Sequence, residues 1–203
     1  MAVTALILGI AVAAGASQAQ RPITGAPEVL AVYAEDWGLD SAGQPGLITA
    51  IWGDGYAVWS EHQVKGGGPF FHGQISKERV SLLLRRLQSD GLFADARLAY
   101  VNFGPDSRFT TMLVQTSGKT LKMQSWHEYA EARGGLIASS SGLEPLEGSA
   151  RLAALKRQPA DYLYYRAVWA ELRAAIQGLL PARGTAVSGD TRMLHGVLTW
   201  GER

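Results

Sequence analysis

The chain has 203 residues, 47% of them hydrophobic and 18% charged, the composition of an ordinary globular protein that can bury roughly 70% of the surface its unfolded form exposes. Its 19 basic and 18 acidic side chains leave a formal charge of +1, and the basic ones are scattered, which speaks against nucleic acid as a partner because such binding needs concentrated positive patches. The lack of any cysteine excludes disulfide scaffolds, thiol nucleophiles, thiolate metal sites and a lipid-bearing N-terminal cysteine.

Residues 1–20 carry no charge, have an apolar centre from about Ala5 to Ala14, and close on Ser17-Gln18-Ala19. That small-x-small ending predicts a signal peptide over residues 1–19, with Gln20 or Arg21 as the new terminus. An uncleaved N-terminal anchor is the alternative, although the apolar centre is shorter than the ~20 residues a spanning helix needs. An export signal on a cysteine-free chain points to a periplasmic or secreted bacterial protein, with no membrane span after cleavage.

A single α+β domain is expected over residues 27–203. Val29 to Tyr33 reads as a short strand, and the Gly-, Asp- and Pro-rich stretch from Asp36 to Gly46 as a loop. Leu47–Trp52 and Tyr56–Glu61 then flank Gly53-Asp54-Gly55 as a hairpin. A two-residue turn at Asp54-Gly55 would pair Gly53 with Tyr56, set Ile51 opposite Val58, and put Trp52 and Trp59 on the same face. Both faces of that hairpin are apolar, so the sheet should be covered on two sides. A glycine-rich connection, Gly66-Gly67-Gly68, leads to a strand at Phe70–Ile75.

The next helix is marked at both ends. Ser76 stands where an N-cap hydroxyl can accept from free first-turn N–H groups, and Glu78 sits beside the positive end of the dipole. Val80, Leu83, Leu84 and Leu87 recur at helical spacing, and Gly91 after Asp90 supplies a left-handed stop. A second hairpin joins Arg108–Thr116 to Lys119–Trp126 through Ser117-Gly118, with Met112, Val114, Leu121 and Met123 on one face. Residues 130–149 turn to Gly, Ser and acidic residues and read as an extended surface segment. Residues 150–203 read as a helical C-terminal part, with a short helix from Ser149 to about Arg157 and a long one from about Ala160 to Leu180. In the long helix Tyr162, Tyr165, Trp169, Leu172, Ile176 and Leu179 form a core-facing seam. Met193–Trp200 is a further candidate strand.

Signatures of chemistry are sparse. There is no G-x-S-x-G elbow or phosphate loop, and His127-Glu128-Tyr129-Ala130-Glu131 has Glu where the zincin motif needs its second histidine. No catalytic residue, metal ligand or cofactor site is assigned. Four histidines occur: His62, His72, His127 and His195. His62 and His72 flank the glycine loop, and His127 stands with Glu128 at a strand end, so His62, His72, His127 and Glu128 are the candidate members of a His/Glu site, with Glu61 nearby. The simpler account is separate hydrogen-bonded histidines. Asp54 and Asp106 are explained by their turns. Trp52, Trp59 and Trp126 are candidate stacking platforms for a sugar ring or apolar ligand, against the simpler account of core packing.

The order of elements, with Asp54-Gly55, Gly73, Ile75-Ser76, Leu92-Phe93 and Asp106, resembles small exported bacterial domains of unknown function over about residues 47–126. The resemblance implies a fold and an address, and no activity. The expected architecture is an antiparallel sheet of hairpins packed by an amphipathic helix, with a C-terminal helix on the same core. The expected function is a non-catalytic binding or interaction module, its partner an envelope protein or a glycan; the alternative is a hydrolase or metal-dependent enzyme using the His/Glu site.

Overall fold

The computed structural model describes residues 23, 26–35, 46–99, 109–125, 127–128, 136–139, 142–145 and 149–187. The expected signal segment, Asp106, Trp126, His195 and the candidate strand at 193–200 lie outside these residues.

The fold is α+β. Strands β1 (Glu28–Glu35), β2 (Gly46–Trp52), β3 (Tyr56–Ser60), β4 (Phe70–Gln74), β5 (Phe109–Thr116), β6 (Lys119–Ser125) and β9 (Thr185–Ala186) form one seven-stranded sheet in the order β6-β5-β1-β2-β3-β4-β9. Every pairing is antiparallel. Helices α1 (Lys77–Ser89) and α3 (Ala160–Leu179) pack on one face, and α2 (Ser149–Lys156) precedes α3.

Helix α1 forms as its sequence dictates. The Ser76 hydroxyl accepts from the Arg79 N–H at 3.2 Å, and Gly91 takes the left-handed conformation at φ 73°. Val80, Leu84 and Leu87 are buried against the sheet, each stabilising the fold by about 1.5–3 kcal/mol. The helix-side core adds Leu30, Val32, Ile51, Met112, Val114 and Met123 from the strands to Tyr165, Trp169 and Ile176 of α3. On the far face Val29, Ala31, Tyr33, Ala50, Trp52 and Val58 form a second core, packed by Ile23, Ala26 and Val187. The sheet is thus apolar on both sides. A β-bulge adjusts the pattern: Val32 pairs with Thr49 and Tyr33 with Leu47, so the extra residue Ile48 joins Ile51 in the helix-side core.

The β5–β6 hairpin turns at Ser117 (φ 46°) and Gly118 (φ 76°), the two left-handed residues of a type I′ turn. Met112 pairs with Met123 and Val114 with Leu121, the face expected. The β2–β3 hairpin differs from expectation by one residue. Ile51 pairs with Ala57, Ala50 with Val58 and Thr49 with Trp59, so the connection is three residues long, not two. The Gly55 N–H donates to the Trp52 carbonyl at 2.8 Å, and Gly55 alone has a positive φ, 86°. That is a type I turn closed by a left-handed glycine. The Asp54 carboxylate fixes it by accepting from the Tyr56 N–H at 3.1 Å. Because side chains alternate, the one-residue difference moves Trp59 to the opposite face from Trp52.

Two further elements depart from the sequence reading. Within the expected surface segment, Leu136–Ser139 and Gly142–Pro145 pair as a two-stranded ladder, β7 and β8. After α3 the chain returns so that β9 pairs with β4, Phe71 facing Ala186 and His72 facing Thr185.

Candidate functional site

At one end of the helix-side core, three segments converge: the β3–β4 connection, the turn after β6, and the second half of α3. Tyr165 anchors α3 there, donating its hydroxyl to the Gln124 carbonyl of β6; burial pushes its phenol up. One helical turn on, Trp169 stacks on Tyr165, with ring centroids 6.3 Å apart, and meets His127 edge-on at 5.7 Å. A turn further lies Arg173, only 8% exposed. Its Nε donates to Glu128 Oε1 at 3.1 Å, and its Nη2 donates to the Gln63 carbonyl at 2.8 Å. A single guanidinium therefore joins the β3–β4 connection to the segment after β6.

Gln63 also lines a groove of about 350 Å³ between that connection and the C-terminal end of α3. Trp59, Phe71, Leu180 and Pro181 form its apolar walls, and Ser60, Glu61 and Gln177 contribute polar atoms. Trp59 and Phe71 stack at 6.3 Å with 30° between their planes, as their cross-strand pairing requires. Glycines make room for the indole. A Cβ on Gly73 would come within 3.3 Å of Trp59 and 3.4 Å of Pro181, and one on Gly184 would collide with the Trp59 ring.

The candidate residues read from the sequence separate in space. His127 and Glu128 belong to the polar convergence, but each is already engaged. His127 Nδ1 contacts Ser125 Oγ, and the same oxygen accepts from the His127 backbone N–H. Glu128 is paired with Arg173. His62 is exposed, in the turn beside Glu61. His72 sits on β4 opposite Val58 and 6.0 Å from the Tyr56 ring, on the far side of the sheet from Trp169. The four do not meet around one hollow, because alternation along β4 sends His72 away from the helices. Among the described residues no group of three His, Asp or Glu side chains gathers at metal-binding distance.

The Ser125–His127 contact is not a nucleophile–base pair opening on a cleft. The two are 3% and 8% exposed, stand two residues apart, and form a local turn in which a hydroxyl caps the backbone.

The tryptophans separate too. Trp59, 9% exposed, lines the groove. Trp52, 6% exposed, lies on the far face against Tyr56, with ring centroids 5.6 Å apart, at the wall of a second cleft of about 480 Å³ with Pro27, Glu28, Asp54 and Lys77. The shared platform expected of them is therefore not formed, the reason being the three-residue turn.

Arg173 was not legible as a site residue from motifs. Its signal is positional: it lies four residues after Trp169 and three before Ile176, a cation on the stripe that faces the core.

No protein-family model matches the chain, and neither does any curated protein or solved structure. No helix among the described residues is long and apolar enough to cross a membrane.

Proposed function

We propose that the chain is an exported, non-catalytic binding module whose ligand occupies the groove between the β3–β4 connection and the end of α3. The observation that carries this reading is the groove's make-up, two stacked aromatic rings and two aliphatic walls beside a short row of polar side chains. Its volume lies at the lower end of the range for small-ligand sites. A binding role is supported over a catalytic one by the state of His127 and Glu128. His127 is held by Ser125 and Glu128 is paired through Oε1 with Arg173, and a general acid or base must instead reach the reacting group. The charge-free residues 1–20 support export.

The test is amide chemical-shift mapping of the isotope-labelled protein against small-molecule fractions of the cell envelope. Shifts confined to Trp59, Gln63, Phe71 and Gln177 are the expected result. Shifts confined to the Trp52 cleft, or hydrolytic turnover abolished by His127→Ala, would replace this reading. Export predicts a mature envelope species beginning at Gln20 or Arg21 by mass measurement.

A further inference from the structure

We propose that the cleft between α1 and α3 is a second binding site, which takes a small organic cation, a primary ammonium on a compact hydrocarbon body. The cleft shares no lining residue with the Trp59 groove, and the proposal does not rest on that groove being occupied. Leu83, Leu87 and Asp90 recur at steps of four and three along α1, as do Tyr164, Val168, Glu171 and Ala175 along α3, so each helix turns one stripe toward the other. The space between the stripes is about 220 Å³. Its apolar lining is Leu83, Leu87 and Leu92 on one side and Val168, Leu172 and Ala175 on the other. Ala175 ends at its Cβ, and a longer side chain there would enter the cleft. An apolar cavity of about 150 Å³ is enough to hold benzene, so this one accommodates a phenyl ring with a short chain.

The polar lining selects the ligand's charge. Arg86, Asp90 and Glu171 all line the cleft, and one positive charge against two negative ones leaves −1. The Arg86 Nη2 donates to Glu171, while its Nε lies 3.6 Å from an Asp90 oxygen, beyond hydrogen-bond range. Glu171 thus has a donor, whereas Asp90 has a shared counter-charge and, among the described residues, no side-chain hydrogen bond. Asp90 also caps the C-terminal end of α1, where the helix dipole is negative and a cation is favoured. A carboxylate meets the opposite situation, because it can reach Arg86 only by displacing Glu171 or by approaching Asp90. Tyr164, the remaining polar lining residue, already donates its hydroxyl to Asp95 and adds no donor that would draw an anion. The ammonium therefore sits beside Asp90 with its body over the leucines. Both carboxylates are exposed, so their pull is modest and screened by salt. The apolar lining supplies most of the affinity, and the charges supply the choice.

The experiment is an NMR titration of the full chain, labelled at its Leu and Val methyl groups, at low salt. The probes share one phenylethyl body: phenethylamine, 2-phenylethanol and 3-phenylpropionate. The amine is expected to shift the Leu83, Leu87, Val168 and Leu172 methyls below about 10 mM, binding about threefold more tightly than the alcohol and about tenfold more tightly than the acid. Raising the salt to about 0.5 M should narrow both gaps. Asp90→Asn, an exposed change, should weaken the amine about threefold and leave the alcohol as it was. Ala175→Leu should abolish binding of all three by filling the cleft; the probe series and Asp90→Asn decide the matter even if that variant does not fold. Equal binding of amine and alcohol, unaltered in Asp90→Asn, would overturn the proposal, as would tightest binding of the acid. If no probe moves the cleft methyls, the site itself falls, and the reading of the Trp59 groove is untouched.

Discussion

Two arginines hold opposite ends of the helix layer, and they are satisfied to different degrees. Arg97 lies at the surface. It donates to the Asp95 carboxylate at 2.9 and 2.7 Å and stacks 3.8 Å over the Tyr164 ring, while the Tyr164 hydroxyl donates to the same carboxylate at 2.9 Å. The three side chains complete one another, with water available for whatever remains. Arg173 is 10% exposed at the side chain against 48% for Arg97. It uses two of its nitrogens, for Glu128 and the Gln63 carbonyl, and leaves the third without a partner. A surface knot stabilises a local corner. A buried one ties distant segments of the chain to a helix, and its loss is felt beyond its own corner.

The comparison can be broken most directly at Arg173. Arg173→Ala leaves the Glu128 carboxylate, 27% exposed, without its counter-charge and cuts the tie to the β3–β4 connection. The expected loss is about 2–4 kcal/mol, read from the urea midpoint. Removing both charges tests whether the loss lies in the charge pair or in the tie to the Gln63 carbonyl. Arg173→Met with Glu128→Leu should recover at least half of it, since an apolar replacement of a buried pair is often neutral. A double variant no better than Arg173→Ala would show that the loss comes from the hydrogen bond to the Gln63 carbonyl, which neither replacement restores. Next in size is Tyr165→Phe, which removes the tether to the Gln124 carbonyl and should cost about 1 kcal/mol. A smaller effect belongs to Arg86, whose pair with Glu171 is 60% and 62% exposed. Arg86→Gln should change stability by less than about 1 kcal/mol, and less still in high salt.

Much of the frame behind these sites was legible. The Ser76 cap, the Val80–Leu84–Leu87 stripe and the α3 seam follow from periodicity, because a helix that long must bury one side. The β5–β6 register was legible as well, since Ser117-Gly118 allows one short turn. Gly53-Asp54-Gly55 allows two. The two-residue reading places the left-handed residues at Asp54 and Gly55, and the chain instead uses Gly55 alone. Local sequence does not decide between them; in the fold the three-residue turn goes with a Trp59 ring seated against Gly73 and Gly184. The small pairings β9 and β7–β8 are too short to show a period. Arg173 was hidden for a different reason: a lone charge in an apolar seam becomes informative only once its partners, Gln63 and Glu128, are known, and they lie 110 and 45 residues away.

The surface knot gives the smallest effect and the clearest dependence on pH. Arg97 hydrogen bonds, with a further contribution from the Tyr164 hydroxyl, hold the Asp95 carboxyl well below the usual carboxylate range. Its side chain is 14% exposed, yet what covers it is its own two partners and not the depth of the core, so solvent still screens the group. The folded-state value lies below the unfolded one, so the stabilisation is complete above about pH 5 and declines as pH falls through about 4 and lower. The Tyr164 phenol is shifted the other way, raised chiefly by its bond to Asp95. That contribution is present at neutral pH and is lost above about pH 10, where the unfolded phenol ionises before the folded one. Asp95→Asn should therefore lower the urea midpoint at neutral pH, and its deficit relative to the unmodified protein should shrink at both acid and alkaline ends. Tyr164→Phe should remove the alkaline dependence and leave most of the acid dependence, because Arg97 is the larger cause of the Asp95 shift. An acid dependence abolished by Tyr164→Phe would mean that the phenol, and not the guanidinium, organises the knot, and the contrast with Arg173 would then no longer be one between two arginine centres.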